Sequence, residues 1–453
     1  MPTLAEFDGR MAAMADRHVV DITDADALGA ELIGGKAVGL AAMTDLGLRV
    51  PPAFVITAEV GRAVLAGTPL DDDISAAIDA ALERLEHATG RRLDDAIDPL
   101  SVSVRSGAAV SMPGMMDTLL DVHGGPPAIR AAVTEVFGSW NTSRARAYRQ
   151  HNGIADGLGT AVVVQAMVFG DRGSASGSGV AFSRDPDSGE PGMSGDYLAG
   201  SRGTDVVSGS GAPLPVEVLA DRMPAVAEEL AGGLHLLERH RADMVEVEFT
   251  VEDGVLHFLQ CRRGSRSAGA AVRIAVDLAD EGLISHEVAV ARVTPDQRRL
   301  ATRSTVAPGA GPPLTTGLGA CAGVATGAIC CSSGLVDDLA VEHSSVILVR
   351  SETSPADIQG MIAASGLLTS RGGLVSHAAL VARELDLPAV VGAAGMEVDE
   401  DAGRVRIGSV DLATGDIITI DGATGEVHLG EVPTRQPAPD AHLARLTSWS
   451  TPS

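Results

Sequence analysis

Residues 307–313 read APGAGPP, and this run divides the chain. Proline lacks the backbone N–H that a helix interior or a central strand needs, and glycine weakens both, so the run predicts a linker. At ~100–200 residues per domain, 453 residues are enough for two to four domains. We therefore predict a domain boundary here, with a separate core on each side.

Hydrophobic patterns predict α/β and α+β folds in a multidomain chain. After the linker, short apolar runs alternate with helical patterns from 317 to 429, as in a compact α/β domain. Before it, strands and helices are mixed, and a glycine–serine stretch over 170–179 predicts a mobile flap. The predicted elements are strands over 53–57, 101–105 and 160–169, a hairpin over 245–260, and helices over 34–47, 73–88 and 271–300.

The charge and cysteine content exclude several classes of protein. Lys and Arg total 34 and Asp and Glu total 60, a net charge of −26. Because such a chain repels phosphate backbones and anionic bilayers, we expect no nucleic-acid or membrane partner. No apolar run approaches the ~18–20 residues of a membrane span, and no signal-peptide pattern opens the sequence. Four cysteines without C-x-x-C spacing predict free thiols and a cytoplasmic location.

The chain contains a single lysine, Lys36, among its 34 basic residues. It follows the pair Gly34-Gly35 at the start of a helical pattern. Glycine lets the backbone approach a phosphate closely, and a helix N-terminus favours an anion there. The spacing is not that of a P-loop. Taken alone, turn glycines beside a surface lysine are the simpler explanation.

Two further groups have the chemistry of a nucleotide site. Arg105 ends an alternating strand and opens the glycine- and methionine-rich loop 106–117, where a guanidinium could bind phosphate oxygens; a solvated surface arginine is the alternative. In the predicted hairpin, two pairs each share a strand face, Glu246 with Glu248 and Gln260 with Arg262. Two carboxylates on one face could hold Mg²⁺, or could simply be the polar side of a half-buried hairpin.

The fourth motif is LTSRGGLVSHAALVAR at 368–383, which predicts a strand, a glycine turn and a helix. His377 falls in the first turn of that helix. Free backbone N–H groups and the positive end of the helix would stabilise a phosphorylated imidazole there. Neutral imidazole is a nucleophile toward phosphoryl groups, and Arg371 could assist it. A capping or packing histidine is the alternative that these residues leave open.

In combination, the motifs resemble the pyruvate phosphate dikinase family of phosphoenolpyruvate-utilising enzymes. They follow the family's order over most of residues 30–430. The matching segments are GGKAVGLAAM (34–43), SVSVRSGAAVSMPGMMDTLLDV (101–122), GSWNTSRARAYR (138–149), VVQAMVFG (163–170), GSGVAFSRDPDSGE (177–190), VEVEFT (245–250), LQCR (259–262), VILVRSETSPADIQGM (346–361) and LLTSRGGLVSHAALVARELDLPAVVG (367–392).

The resemblance implies an ATP-grasp nucleotide-binding region followed by a swivelling phosphohistidine domain. In this family, ATP gives its β,γ-pyrophosphoryl group to a histidine and AMP leaves. The γ-phosphoryl passes to phosphate, and the phosphohistidine then serves pyruvate and phosphoenolpyruvate. The implied domains are the ATP-grasp region over 1–265 (subdomains about 1–155 and 156–265), a helical segment and linker over 266–313, the phosphohistidine domain over 314–430 and a tail over 431–453.

The same resemblance assigns roles to individual residues. His377 would be the catalytic nucleophile, and Arg105 would act in catalysis and in ATP binding. The other ATP-binding residues would be Lys36, Glu248, Gln260 and Arg262, and the Mg²⁺ ligands would be Glu246 and Glu248.

The sequence also departs from the family. The family's pyruvate-binding TIM barrel needs ~250 residues, and 23 residues follow Gly430. We therefore expect pyruvate to be served through a separate barrel-bearing chain. Thr204 replaces a usual Glu, Glu246 replaces a usual Asp, and Val375 replaces a threonine that some members use for regulation.

Three alternatives remain open at this point. The segment LVARELDLPAVVG is closer to the water-dependent phosphoenolpyruvate synthase, so water could replace phosphate as the γ-phosphoryl acceptor. A rifampin phosphotransferase would need a large acceptor domain for which no segment is spare. A non-catalytic ATP-binding regulator is favoured by Thr204 and Glu246 and opposed by Lys36 and His377. The final acceptor is not assigned, and a homo-oligomer is compatible with all of these.

Overall fold

The computed structural model describes residues 18–25, 28–110, 112, 114–202, 213–302, 304–436 and 440–450. These residues form two compact units. The first takes its residues from Met1–Phe169 and Leu256–Arg262, and the second from Gly170–Val255 and Arg263–Ser453.

The first unit is built on a five-stranded antiparallel sheet in the order β1-β2-β5-β3-β4. Its strands are β1 (Val19–Asp21), β2 (Ala53–Ile56), β3 (Val102–Gly107), β4 (Thr118–Val122) and β5 (Ala161–Ala166). Alternation along β3 buries Val102 and Val104 on one face, where they join the main core of the unit. Arg105 has the opposite parity and belongs to the other face.

Helices cover this sheet. They are α1 (Ala30–Asp45), α2 (Ala58–Leu65), α3 (Asp72–Thr89), α4 (Pro126–Gly138) and α5 (Ser143–His151). The spacing of Ile78, Leu82 and Leu85 places the apolar stripe of α3 in the core. Asp71 caps α3 by accepting from the Ile74 N–H at 2.8 Å, and Gly90 ends it with φ 68°.

The second unit begins with an antiparallel sheet centred on β6 (Gly177–Arg184). β7 (Pro191–Ala199) lies on one side of β6 and β9 (Val245–Glu252) on the other, and β8 (Leu214–Pro215) pairs with β7. A Cβ on Gly177 would lie 2.3 Å from the Tyr197 hydroxyl, and one on Gly179 would lie 2.5 Å from the Phe249 ring. The flap prediction is therefore wrong for 177–179: these glycines belong to a strand, where stacked aromatic rings take the space of their side chains.

A short helix, α6 (Leu219–Arg222), and a long one, α7 (Pro224–Arg241), precede β9. The next strand, β10 (Val255–Arg263), follows a turn at Asp253 and Gly254, both with positive φ as a tight hairpin turn requires. The helix predicted over 271–300 is instead three helices, α8 (Ala268–Asp280), α9 (His286–Arg292) and α10 (Pro295–Leu300). Gly282, with φ 73°, lies just after α8 and separates it from α9. Pro295 is the first residue of α10, which Thr294 caps.

The remaining residues of this unit form a layered α/β fold. An eight-stranded sheet has the order β12-β22-β21-β14-β15-β16-β17-β13, and its central strands β14 to β17 run parallel. The strands are β12 (Thr315–Thr316), β13 (Leu318–Cys321), β14 (Val324–Cys330), β15 (Val346–Arg350), β16 (Gly366–Thr369), β17 (Ala389–Val391), β21 (Ile417–Asp421) and β22 (Glu426–Leu429).

Each face of the eight-stranded sheet has its own core. One face packs on helices α11 (Val336–Glu342), α12 (Ile358–Ala363) and α13 (His377–Glu384). The other packs on a small sheet of β18 (Met396–Asp399), β19 (Arg404–Ile407) and β20 (Val410–Ala413). β11 (Thr305–Val306) pairs with β23 (Thr434–Arg435), and the last described helix is α14 (Ala441–Ser450).

Within the described residues, no helix is long and apolar enough to cross a membrane. All four cysteines are buried, and none of them forms a disulfide with another described residue. The fold is thus the mixed α/β and α+β arrangement that the hydrophobic patterns predict.

Candidate active site

The glycine pair before Lys36 folds against the end of β3. Gly34 interrupts α1 with φ 77°, and a Cβ there would lie 1.8 Å from the Gly107 carbonyl oxygen. Only glycine fits this approach. The Gly35 N–H donates to the Ala108 carbonyl oxygen at 3.0 Å. Lys36 therefore begins a helical segment that is attached to the loop following Arg105.

Arg105 and Gln260 meet in the first unit. The Arg105 Nη2 donates to Gln260 Oε1 at 3.0 Å, although 155 residues separate them. Gln260 is 8% exposed, and Arg262 follows it two residues later on the same strand. The structure therefore brings Lys36, Arg105, Gln260 and Arg262 into one unit, and a guanidinium held by an amide is preorganised to receive an anion.

Glu246 and Glu248 lie on β9 in the second unit, opposite Phe182 and Val180 of β6. Glu246 is 1% exposed and Glu248 is half-buried. In the described ranges, no three His, Cys, Asp or Glu side chains converge as a metal cage. A carboxylate pair on one strand face nevertheless suits Mg²⁺, which keeps several waters and takes substrate phosphates as ligands. The donor set therefore fits the ion.

His377 is the first residue of α13, which follows the parallel strand β16. The Ser376 hydroxyl caps this helix by accepting from the Ala379 N–H at 3.4 Å. Thr353, in the loop after the neighbouring parallel strand β15, places its Oγ1 3.0 Å from the Nδ1 of His377. Loops at the carboxyl ends of parallel strands are where α/β folds bind ligands. Among the described residues, the buried Nε2 of His377 has no hydrogen-bond partner.

The environment of His377 keeps its imidazole neutral. Burial lowers the pKa of His377 below the usual value of a histidine, and the nearby Asp357 carboxylate opposes this only in part. With its pKa below the ordinary ~6.5, the ring carries a lone pair at pH 7. Thr353 contacts Nδ1, and Nε2 has no hydrogen-bond partner among the described residues, so the ring can act as a nucleophile through Nε2.

Side chains from the β6–β7 sheet hold the loop before His377. The Asp196 Oδ2 accepts from the Val375 N–H at 3.2 Å, and a Cβ on Gly373 would lie 2.2 Å from that oxygen. Burial raises the pKa of Asp196, while the backbone N–H groups of Val375 and Leu374 act in the opposite direction.

Arg383 on α13 also links the loop before His377 to the β6–β7 segment. It is fully buried, donates to the Leu374 carbonyl oxygen at 2.6 Å and lies 3.4 Å from Asp187 Oδ2. Sequence reasoning did not single out Thr353, Asp196, Asp187 or Arg383. The only signal was that each lies within or beside a segment that resembles the family.

The remaining residues of note are placed as follows. Val375 is fully buried against Val180 and Phe182, which explains an apolar residue at this position. Arg371 is exposed. Thr204 lies outside the described residues.

Known proteins match this chain over most of its length. Residues 30–89 and 62–227 match the family described as "Pyruvate phosphate dikinase, AMP/ATP-binding domain", and residues 342–425 match "PEP-utilising enzyme, mobile domain". Pyruvate, phosphate dikinase of Clostridium symbiosum is 35% identical over 511 aligned positions, covering 92% of this chain and 58% of that protein. The Rhizobium meliloti (strain 1021) enzyme of the same name is 36% identical, with 93% and 58% covered.

The chain therefore spans a little under three-fifths of the length of the curated relatives it matches. Among solved structures, D-alanine–D-alanine ligase from Bacillus anthracis complexed with ATP superimposes with a TM-score of 0.28 and 12% identity, covering 59% of this chain and 67% of that one. So loose a superposition carries no weight here. The sequence relatives are sufficient: the chain belongs to the pyruvate phosphate dikinase family, a family of phosphotransferases.

Proposed function

We propose that this chain carries out the ATP-dependent half of a dikinase reaction, in which His377 is phosphorylated and AMP is released. The observation that carries the proposal is the setting of His377. Its imidazole begins a capped helix, Thr353 holds its Nδ1, its Nε2 has no partner among the described residues, and burial keeps its pKa low.

The chemistry follows from the two ring nitrogens. In the proposed tautomer the proton is on Nδ1, where the N–H donates a hydrogen bond to the Thr353 hydroxyl. The lone pair is then on Nε2. Attack by Nε2 on the β-phosphorus of ATP forms an N–P bond. The bond from that phosphorus to the oxygen bridging it to the α-phosphorus breaks, so AMP leaves with the electron pair. Transfer of the γ-phosphoryl to inorganic phosphate then gives pyrophosphate and leaves a phosphohistidine.

The roles in ATP and Mg²⁺ binding are proposed residue by residue. Lys36, Arg105, Gln260 and Arg262 would contact the triphosphate, and the Arg105–Gln260 hydrogen bond supports this because it fixes the direction of the guanidinium. Glu246 would hold Mg²⁺ and Glu248 would contact the ion and the nucleotide. The ion would neutralise charge on the triphosphate.

The proposal assigns no pyruvate site to the described residues, and the phosphohistidine would serve a pyruvate-binding barrel that is not among them. Pyruvate and phosphoenolpyruvate are the proposed final pair: the relatives' names include pyruvate, and the family that matches residues 342–425 is described as PEP-utilising. A reducing, cytoplasmic setting is part of the proposal, and four buried cysteines without a disulfide among the described residues support it.

The test is incubation with Mg²⁺ and ATP carrying ³²P at the β-phosphate, with and without inorganic phosphate. We expect acid-labile, base-stable label on the protein, one AMP per label, and pyrophosphate only when phosphate is present. Because Lys36 is the single lysine, an amine-directed reagent followed by peptide mass spectrometry reports ATP binding separately, with the α-amino group as an internal control.

The two readouts distinguish the alternatives. Protection of Lys36 by ATP without any label would replace the proposal with a non-catalytic ATP-binding protein. Label that forms equally well without phosphate, with γ-phosphate released as orthophosphate, would indicate water as the acceptor. Neither protection nor label would reject both ATP-dependent functions.

Thr353 gives a prediction that depends on geometry rather than on resemblance. Replacing Thr353 with valine keeps the shape but removes the partner of Nδ1. We expect the rate of label formation to fall about 2–10-fold, the equivalent of one neutral hydrogen bond. Thr353→Ser should restore the rate, and ATP should protect Lys36 equally in both variants. If serine and valine variants were equally slow, the hydroxyl would not be holding the imidazole.

A further inference from the structure

Three arginines converge on one carboxylate in the second unit, away from the residues discussed above. Asp243 lies between α7 and β9. Its carboxylate oxygens are 2.9 Å from Arg263 Nε, 2.7 Å from Arg266 Nη1 and 3.9 Å from Arg292 Nη1. Arg292 also donates to the Ala242 carbonyl oxygen at 2.5 Å. We name these four side chains the Asp243 cluster.

The Asp243 cluster carries more positive than negative charge. Among the described residues, Asp243 is the only carboxylate within 4.0 Å of any of the three guanidinium groups. The Arg266 side chain is 7% exposed, and its buried Nη2 has no hydrogen-bond partner in the part of the chain that the structure describes. A buried cationic donor left without a partner is costly, so this nitrogen marks a place for an acceptor.

Arg266 also lines a cavity. Its volume is about 10 Å³, and its walls are the Asp243 cluster and four apolar residues of α8: Ala271, Ile274, Ala275 and Leu278. A volume of ~10–15 Å³ accommodates about one water-sized occupant. A halide, with a single atom, is the anion nearest to this size, whereas a phosphate or a carboxylate has several atoms.

We propose that the Asp243 cluster binds a monatomic anion of the size of chloride, held by Arg266 and by the other two guanidinium groups. Such an ion would reduce the excess positive charge and give Arg266 Nη2 a partner. Burial and the two neighbouring arginines lower the pKa of Arg266 against the opposing effect of Asp243, which agrees with an unbalanced cluster.

The Asp243 cluster lies next to the start of α8, so a bound ion would affect the stability of that helix. The residue after Arg266 is Ser267, whose hydroxyl accepts from the Ala270 N–H at 3.1 Å and so caps α8. The same hydroxyl donates to the Asp187 carbonyl oxygen at 2.7 Å. An anion that orders Arg266 therefore also stabilises the start of α8 and the turn between β6 and β7. This inference does not depend on the proposed function.

The test is thermal unfolding in sodium chloride, bromide or gluconate at constant ionic strength. We expect Tm to rise saturably by about 2–4 °C in the halides relative to gluconate, because an ion that binds only the folded state stabilises it. Arg263→Gln alters the mouth of the cavity at a side chain that is 64% exposed, so it should fold and should need about tenfold more halide. Arg299→Gln removes an equally exposed arginine that pairs with Asp296 at 3.1 Å, and should respond like the wild type.

Crystals of the wild-type protein soaked in bromide provide a direct readout. An anomalous peak within hydrogen-bond distance of Arg266 Nη2 would support the proposal. A water at that position in bromide-soaked crystals would overturn it. So would equal Tm values in halide and gluconate, or a halide response that Arg263→Gln and Arg299→Gln both leave unchanged.

Discussion

Replacing His377 with alanine is expected to abolish the incorporation of acid-labile, base-stable phosphate from ATP labelled at the β-position. The proposed bond is made to Nε2 of this ring, and alanine offers no nucleophile in its place. We expect less than about 1% of wild-type label, since loss of a covalent nucleophile removes the step rather than slowing it. The measurement is protein-bound ³²P after alkaline denaturation, with AMP counted in the same sample.

The matched control is His343→Ala. His343 lies in the same α/β layer, directly after α11, and is a partly exposed histidine outside the candidate site. Its variant should be labelled like the wild type, and ATP should protect Lys36 in both variants. If His377→Ala retained base-stable label, the phosphorylated residue would be a different histidine and the proposed function would lose its central residue.

The rate of labelling should also follow the shifted pKa of His377. Burial lowers this pKa, so the reactive neutral form persists to lower pH than in an ordinary histidine. We expect the wild-type rate to stay level as pH falls through ~6.5 and to decline only below it.

Local patterns were sufficient for much of the fold. The helix predicted over 73–88 is α3 (Asp72–Thr89), because its apolar stripe, its aspartate cap and its terminal glycine all act within one segment. The turn at Asp253-Gly254 is equally local. The placement of His377 at the start of a helix follows from the serine cap before it and the glycine turn before that.

The errors have a different origin. Gly177 and Gly179 indicate a flexible segment when only neighbours in sequence are considered, yet Tyr197 and Phe249 occupy the space beside them and make them part of a strand. Such packing over 20 to 70 residues of separation leaves no local signature. The apolar pattern over 271–300 predicts one helix, whereas Gly282 and Pro295 divide the segment into three.

The same reasoning applies to the site. Sequence patterns and resemblance point to Lys36, Arg105, Gln260 and His377, and the structure adds the hydrogen bond between Arg105 and Gln260. The supporting residues are different. Thr353 is 24 residues from His377, Asp196 is 179 residues from Val375, and Asp187 is 196 residues from Arg383. Only the folded chain brings these pairs together, so no spacing rule could have found them.

The contact between Arg383 and Asp187 gives the second prediction with a large expected effect. Arg383 is fully buried, whereas Asp187 is about one-quarter exposed. Replacing Arg383 with glutamine leaves the Asp187 carboxylate and the Leu374 carbonyl oxygen without their cationic partner. Breaking one side of a buried ion pair costs about 3 kcal/mol, because the remaining charge stays desolvated. We expect the free energy of unfolding in urea to fall by about that amount, with a matching loss of order in the loop that precedes His377.

The control for this variant is Arg406→Gln. Arg406 pairs with Asp411 at 3.0 Å, but the two side chains are 60% and 80% exposed, so water replaces the lost partner. Exposed pairs contribute about 0–1 kcal/mol, and this variant should unfold close to the wild type. Equal stability of the two variants would mean that the Arg383–Asp187 contact is not formed in solution. A loss confined to Arg383→Gln, together with slower labelling of His377, would instead show that the β6–β7 sheet stabilises the histidine loop as well as the fold.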